Sequence, residues 1–197
     1  MRTTNARWIA AAAVALGFVA TASAGENWMV RTRLIDVAPN SSGSDVLEKV
    51  DVGDDFTAEV DFTRYINARF ALELIVATAA QELKLDGTSV GSVNHLPPTL
   101  VAQWHFKPSD KFNPYVGLGL NATFFYGKSG LIDSLKLSTS FGPAAQLGAD
   151  WKITERTYLN FDVKYIGIKT DVKSEGNKIG EVKINPLVIG FGVGWKF

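Results

Sequence analysis

Along most of the chain, large apolar side chains fall at every second position. In the last run Leu187, Ile189, Phe191, Val193, Trp195 and Phe197 share one face of an extended strand, while Val188, Gly190, Gly192, Gly194 and Lys196 share the other. Eight such runs lie near 27–37, 54–64, 69–81, 98–106, 114–126, 138–151, 157–170 and 184–197. They are longer than the usual globular strand of about 5 to 6 residues. Several have the roughly 9 to 11 residues that cross a bilayer at a tilt.

The charges fall on one face only. Trp28, Val30, Thr32 and Leu34 alternate with Met29, Arg31 and Arg33; Phe56, Ala58, Val60 and Phe62 alternate with Thr57, Glu59, Asp61 and Thr63. Alternation alone leaves two barrels open, a soluble one with the apolar face inside and a membrane one with it outside. The aromatic residues decide between them. Trp28, Trp104, Trp151 and Trp195 sit at strand ends on one side, and Phe56, Phe124, Tyr126, Phe141 and Tyr165 lie toward the other, as two interfacial belts would. The links at 64–68, 107–113 and 152–156 are short, and those at 38–53, 82–97, 127–137 and 171–183 are long. The expected fold is all-β: an eight-stranded antiparallel transmembrane β-barrel in the outer membrane, with short turns and both termini in the periplasm.

The start of the chain supports this location. Arg2 and Arg7 precede an apolar run from Trp8 to Ala20 and the small residues Ala22-Ser23-Ala24, the layout of a secretory signal peptide at 1–24, cleaved after Ala24. Residues 25–197 then form a single domain. Cleavage removes two arginines and no acid, leaving 18 basic against 20 acidic side chains, a balance that argues against a nucleic-acid partner. There is no cysteine, hence no thiol nucleophile and no disulfide framework.

Function has to be argued from the inward face. Toward the short-turn end it carries Arg31, Arg33, Glu59, Asp61 and Glu73, then His105, Asp150, Asp162, Lys164 and Lys196. Opposite charges on neighbouring strands can pair, so this set reads as a polar plug; an ion pathway would need a continuous wet gap. Toward the long-loop end the inward residues turn apolar: Ile35, Ile75, Val101 and Phe125, then Ile166, Ile168 and Val188, with Ala77 and Ala79. They either fill the barrel top or form a cup that admits an apolar solute. Pro143 faces outward on the sixth run and lacks an N–H, so it marks either a bulge or a weak seam serving as a lateral exit. His105 points inward, and His95 stands in an expected loop beside Pro97 and Pro98; neither has a nucleophile beside it. Asp45, Asp51, Asp54 and Asp55 lack the spacing of a calcium loop. Neither an enzyme nor a metal or other cofactor is expected.

The stretches HLPPTLVAQWHF (95–106), FNPYVGLGLNATFF (112–125), LNFDVKYIGIKT (159–170) and INPLVIGFGVGWKF (184–197) together resemble the OmpW family of small outer-membrane barrels. His95-Leu96-Pro97-Pro98 followed by Tyr115-Val116-Gly117 is the most specific part. The resemblance implies a barrel that passes small, mostly hydrophobic molecules, with roles in stress adaptation or as a phage or bacteriocin receptor, and no catalytic residues. The ending with Trp195 and Phe197 resembles the signal by which the outer-membrane assembly machinery recognises its clients. The expectation is passive passage of small hydrophobic molecules through the apolar upper lumen, with lateral exit into outer-membrane lipid. The alternative is a non-conducting structural or receptor barrel acting through its loops.

Overall fold

The alternation seen in the sequence closes on itself in space. The structure, a computed structural model, describes residues 27–44 and 47–197. The expected signal peptide and Asp45 of the acidic loop lie outside the described residues. In chain order the strands are β1 (Trp28–Ala38), β2 (Ser42–Gly43), β3 (Val50–Val52), β4 (Asp55–Tyr65), β5 (Phe70–Ala77), β6 (Ala79–Leu85), β7 (Thr88–Leu96) and β8 (Thr99–His105). They continue with β9 (Phe112–Gly130), β10 (Lys136–Leu137), β11 (Ser140–Lys152), β12 (Thr157–Ile166), β13 (Lys169–Ser174), β14 (Asn177–Lys183) and β15 (Leu187–Lys196).

Eight of them form one closed antiparallel barrel in the order β11-β12-β15-β1-β4-β5-β8-β9, with β9 returning to β11. The first and last strands pair from Met29–Lys196 to Ala38–Leu187. The Trp28 N–H donates to the Phe197 carbonyl at 3.0 Å and the Phe197 N–H to the Trp28 carbonyl at 2.8 Å, which finishes the seam. Closure leaves no unpaired edge for lipid to solvate.

Exposure is inverted relative to a soluble protein. Leu118 and Leu120 are each 74% exposed and Phe141 is 78% exposed, whereas Arg31, Arg33, Asp61, Glu73 and Asp162 are 0% exposed. Both chain ends of the barrel and three short turns gather at one rim, where single side chains close the backbone. The Asn67 Oδ1 accepts from the Arg69 and Phe70 N–H groups at 2.9 Å, and the Thr154 hydroxyl accepts from the Thr157 N–H at 3.0 Å. All four described tryptophans face outward at this turn rim. The Arg64 guanidinium lies 5.1 Å over the Trp28 ring and the Lys111 ammonium 5.9 Å over Trp151, cations at the headgroup level of an aromatic belt. Inside, a Cβ at Gly148 would stand 2.5 Å from the Tyr115 hydroxyl, so this glycine is the space that the tyrosine ring fills.

The far rim departs from the expected loops. Residues 82–97 belong to a β6–β7 hairpin that turns at Asp86 (φ 50°) and Gly87 (φ 77°), and 171–183 to a β13–β14 hairpin that turns at Glu175 (φ 50°) and Gly176 (φ 89°). β9 runs for 19 residues, into the expected loop at 127–137, and pairs with β7 as far as Gly130–Gly91. Within 38–53, β2 joins β14 and β3 joins β6. The expected runs 69–81 and 157–170 are broken, at Thr78 and at 167–168. These hairpins keep a buried or half-buried inward face of Ala79, Gln81, Leu83 and Val93, but their outward face turns polar with Glu82, Lys84, Ser92 and Asn94. The apolar outward face therefore ends at the lipid boundary, while the strands continue beyond it.

Candidate functional site

Near the turn rim the lumen is filled by a charged floor from five strands, β1, β4, β5, β11 and β12. Arg31 grips Asp150 with two parallel bonds, Nε to Oδ1 at 3.1 Å and Nη2 to Oδ2 at 2.8 Å. Its Nη1 donates to the Thr63 hydroxyl at 2.6 Å and to Asp61 and Glu73, both at 3.2 Å. Arg33 donates to Glu59 at 2.8 Å, Asn160 at 2.8 Å and Glu73 at 3.1 Å, pairs with Asp162 at 3.0 Å, and also binds Asp61. Lys164 bridges Glu59 at 2.6 Å and Asp162 at 2.9 Å. The sequence places Arg31 and Arg33 against Glu59 and Asp61, and the register confirms both rungs: Arg31–Asp61 and Arg33–Glu59.

Neutral amides complete the floor. The Gln103 amide donates to Glu73 at 2.8 Å and to the Gln146 carbonyl at 2.9 Å, and the Gln146 amide donates to Asp162 at 2.8 Å. His105 sits between the rings of Tyr65 and Tyr115, with its Nδ1 2.8 Å from the Asn113 amide. Lys196 is only half-buried and lies 4.9 Å over the Tyr65 ring, beside the floor's ion pairs. Alternation puts Thr63, Gln103 and Asn160 on the inward face, but neither their bonds nor those of Gln146 are legible in the sequence, because neutral side chains give no charge signal.

Above the floor the walls become apolar and two cavities are stacked. The lower, of about 30 Å³, is lined by Ile35, Ile75, Ile166, Ile168 and Val188 from the expected pathway, together with Ala77, Ala79, His95 and Pro97. The upper, of about 60 Å³, is lined by Phe125 and by residues of the far hairpins, among them Leu83, Val93, Val172 and Val182. Val101 reaches neither cavity; it shares a rung with Glu73 at floor level and packs against Gly117 and Gly119. His95, expected in a loop, is on strand β7, 2% exposed, facing inward with its ring 6.2 Å from Phe125. Hairpin signals at Asp86-Gly87 and Glu175-Gly176 were the available clues to the upper cavity.

The barrel wall is interrupted beside the lower cavity. β5 and β8 pair as far as Ile75–Thr99, and β6 and β7 resume at Ala79–His95. In between, Ala77 and Pro97 both line the lower cavity, and neither Pro97 nor Pro98 has an N–H to donate. The far side of this break is tied by the Asn121 amide, which donates to the carbonyls of Pro97 at 3.1 Å and Pro98 at 3.3 Å. Pro143 is outward, as expected, but lines neither cavity. Its carbonyl accepts from the Gly167 N–H at 2.8 Å and Gly142 packs against the Gly167 backbone, so this seam is tight.

A model of the OmpW family matches residues 24–197. The chain belongs to the OmpW family. It is 35% identical over 183 residues to the uncharacterized outer-membrane protein y4mB of Sinorhizobium fredii, covering 86% of this chain and 80% of that protein. It is 35% identical over 150 residues to outer membrane protein W of Escherichia coli, covering 69% and 70%. Among solved structures it is similar to the outer membrane protein OprG of Pseudomonas aeruginosa, with a TM-score of 0.78 and 26% identity over 87% of this chain and 96% of that one. This OmpW-family chain is an outer-membrane β-barrel whose polar lumen is blocked at the turn rim and apolar beyond it.

Proposed function

We propose that the barrel lets small apolar molecules pass by diffusion from the far rim into the bilayer, with the turn rim in the periplasm and no bond made or broken. A solute enters the upper cavity, moves past Phe125 into the lower one, and leaves sideways between Ala77 and Pro97. The observation that carries this reading is the stacking of two apolar cavities on a closed ionic floor. Going straight down would mean separating buried ion pairs that an apolar molecule cannot re-solvate. Going sideways crosses two small side chains where the ladder has lapsed, toward a medium in which the solute is more soluble. Pro143, the exit suggested by the sequence, gives way to Pro97 because only Pro97 lines a cavity.

A staple across the gap tests the route. The chain has no cysteine, so Ala77→Cys with Pro97→Cys creates a unique pair across the break, at positions that the registers on either side of it set opposite each other. Uptake of radiolabelled n-octane by cells carrying the oxidised barrel should fall to the level of cells without it, and reductant should restore it. Undiminished uptake with the disulfide formed rules out this exit. In parallel, Ile75→Asp puts a carboxylate into the lower cavity and should depress uptake in a barrel that still shows heat-modifiable migration; uptake equal to the parent's would reduce the cavities to packing defects. Trp195 and Phe197 are proposed to act in assembly: deleting Phe197 should lower the amount of folded barrel in the outer membrane, and normal levels would refute that role.

A further inference from the structure

Two buried side chains in the upper lumen have hydrogen-bonding atoms that no other group uses. Gln81 is 0% exposed, and neither its amide nitrogen nor its carbonyl oxygen has a hydrogen-bond partner among the described residues. The Nδ1 of His95, a residue 2% exposed, likewise has none. The floor shows what the fold does elsewhere with the same chemistry, since Gln103 and Gln146 are tied to carboxylates and to each other. Buried polar groups are nearly always paired, and a pair of exceptions on one face calls for a partner from outside the chain.

Their placement says what that partner meets. In the β6–β7 ladder Ala79 faces His95, Gln81 faces Val93 and Leu83 faces Gly91. Ala79 and His95 line the lower cavity; Val93 and Leu83 line the upper one. Gln81 itself lines neither cavity; it is buried in the wall at the level where one gives way to the other, with His95 diagonally beneath it on the same inward face. We propose that Gln81 and His95 form a polar station between the two cavities, which selects solutes carrying a single hydrogen-bonding head, a hydroxyl or a carbonyl, on an apolar chain. The carboxamide can donate to and accept from a hydroxyl at once, and it can donate to a carbonyl; a hydrocarbon satisfies neither atom. A site built to pair a polar group discriminates strongly against an analogue that lacks it. This deepens the passage reading above and rests on it, for it concerns which solutes the same cavities favour.

The test compares octan-1-ol with n-octane on the full barrel in lipid nanodiscs, each at equal mole fraction in the lipid. Binding is followed through nitrogen-15 spectra, with the Gln81 side-chain amide signal identified by its loss in Gln81→Leu. In the parent, octan-1-ol should move that signal and bind about tenfold tighter than n-octane, the scale set by one or two buried hydrogen bonds. Gln81→Leu and His95→Phe should each cut the preference for octan-1-ol over n-octane several-fold; heat-modifiable migration checks the fold. Equal binding of the two probes by the parent, or a preference that survives in both variants, overturns the station and leaves the cavities as apolar passages. If neither probe binds the parent, the passage reading itself fails and the station with it.

Discussion

The lower half of the lumen is built on the eight barrel strands, the upper half on their far ends and the hairpins beyond them, and the two solve opposite problems. In the floor, Gln103 spends its amide on Glu73 and Gln146; in the upper lumen, Gln81 finds no partner. The floor strands hold an unbroken register, whereas the ladder beside the lower cavity lapses between Ile75–Thr99 and Ala79–His95. Where ionic groups face one another across a narrow tube, every vacancy is costly, so side chains interlock and fill it. Where the inward residues are Ile, Val and Ala, shape alone must fill the space, and small cavities and ladder breaks survive. The difference shows that whether this barrel is plugged or passable is decided layer by layer.

The most severe way to break the contrast is to take a cation from the floor. Arg33→Met removes the partner of Glu59, Asp61, Glu73 and Asp162 together, leaving buried carboxylates short of a counter-charge. The expected loss is about 3 to 5 kcal/mol, read as a lowered urea midpoint for the barrel in lipid vesicles. A subtler comparison uses one residue type in both halves. Gln103→Leu strips Glu73 and Gln146 of a donor and should cost about 1 to 3 kcal/mol, while Gln81→Leu, measured without added solute, removes only unpaired atoms and should be neutral or stabilising. Equal losses in the same urea titration would erase the distinction between the halves.

The smallest effect lies outside both halves. On the β13–β14 hairpin the Lys178 ammonium stands 2.6 Å from Asp171 and holds its carboxyl below the usual range. The native carboxyl is depressed relative to the unfolded chain, so its contribution is present above the unfolded value of about 4 and fades as pH falls through the native one. Amide exchange in this hairpin should quicken slightly in that acid window, with no change in the floor strands. Asp171→Asn should abolish the pH dependence.

Much of this was legible before any coordinates. Inward Arg31 and Arg33 opposite Glu59 and Asp61 follow from period-two alternation once neighbouring strands are taken as a hairpin, and their register agrees. Outward Trp104 and Trp151 follow in the same way. Gln103 and Asn160 are inward by the same alternation, but their bonds, and those of Gln146, were not legible because a neutral amide on an inward face looks the same whether it is bonded or idle. His95 and the upper cavity were missed because the β6–β7 hairpin presents Glu82, Lys84, Ser92 and Asn94 outward, which hides a strand from a search for lipid-facing faces.

The amino-acid sequence by itself determined the strand period, the face that meets lipid, the belt of tryptophans and the closure into eight strands. These depend on local alternation and on the hydrophobic thickness to be crossed, both of which are written in consecutive residues. Only the tertiary structure decided that five carboxylates and three cations from β1, β4, β5, β11 and β12 share one floor. It alone put Ala77 and Pro97 beside one cavity and left Gln81 unpaired in the wall where that cavity gives way to the next. Such contacts join residues distant in the chain, and the side chains that meet across a tube depend on how far each strand is staggered against its neighbours when the sheet closes.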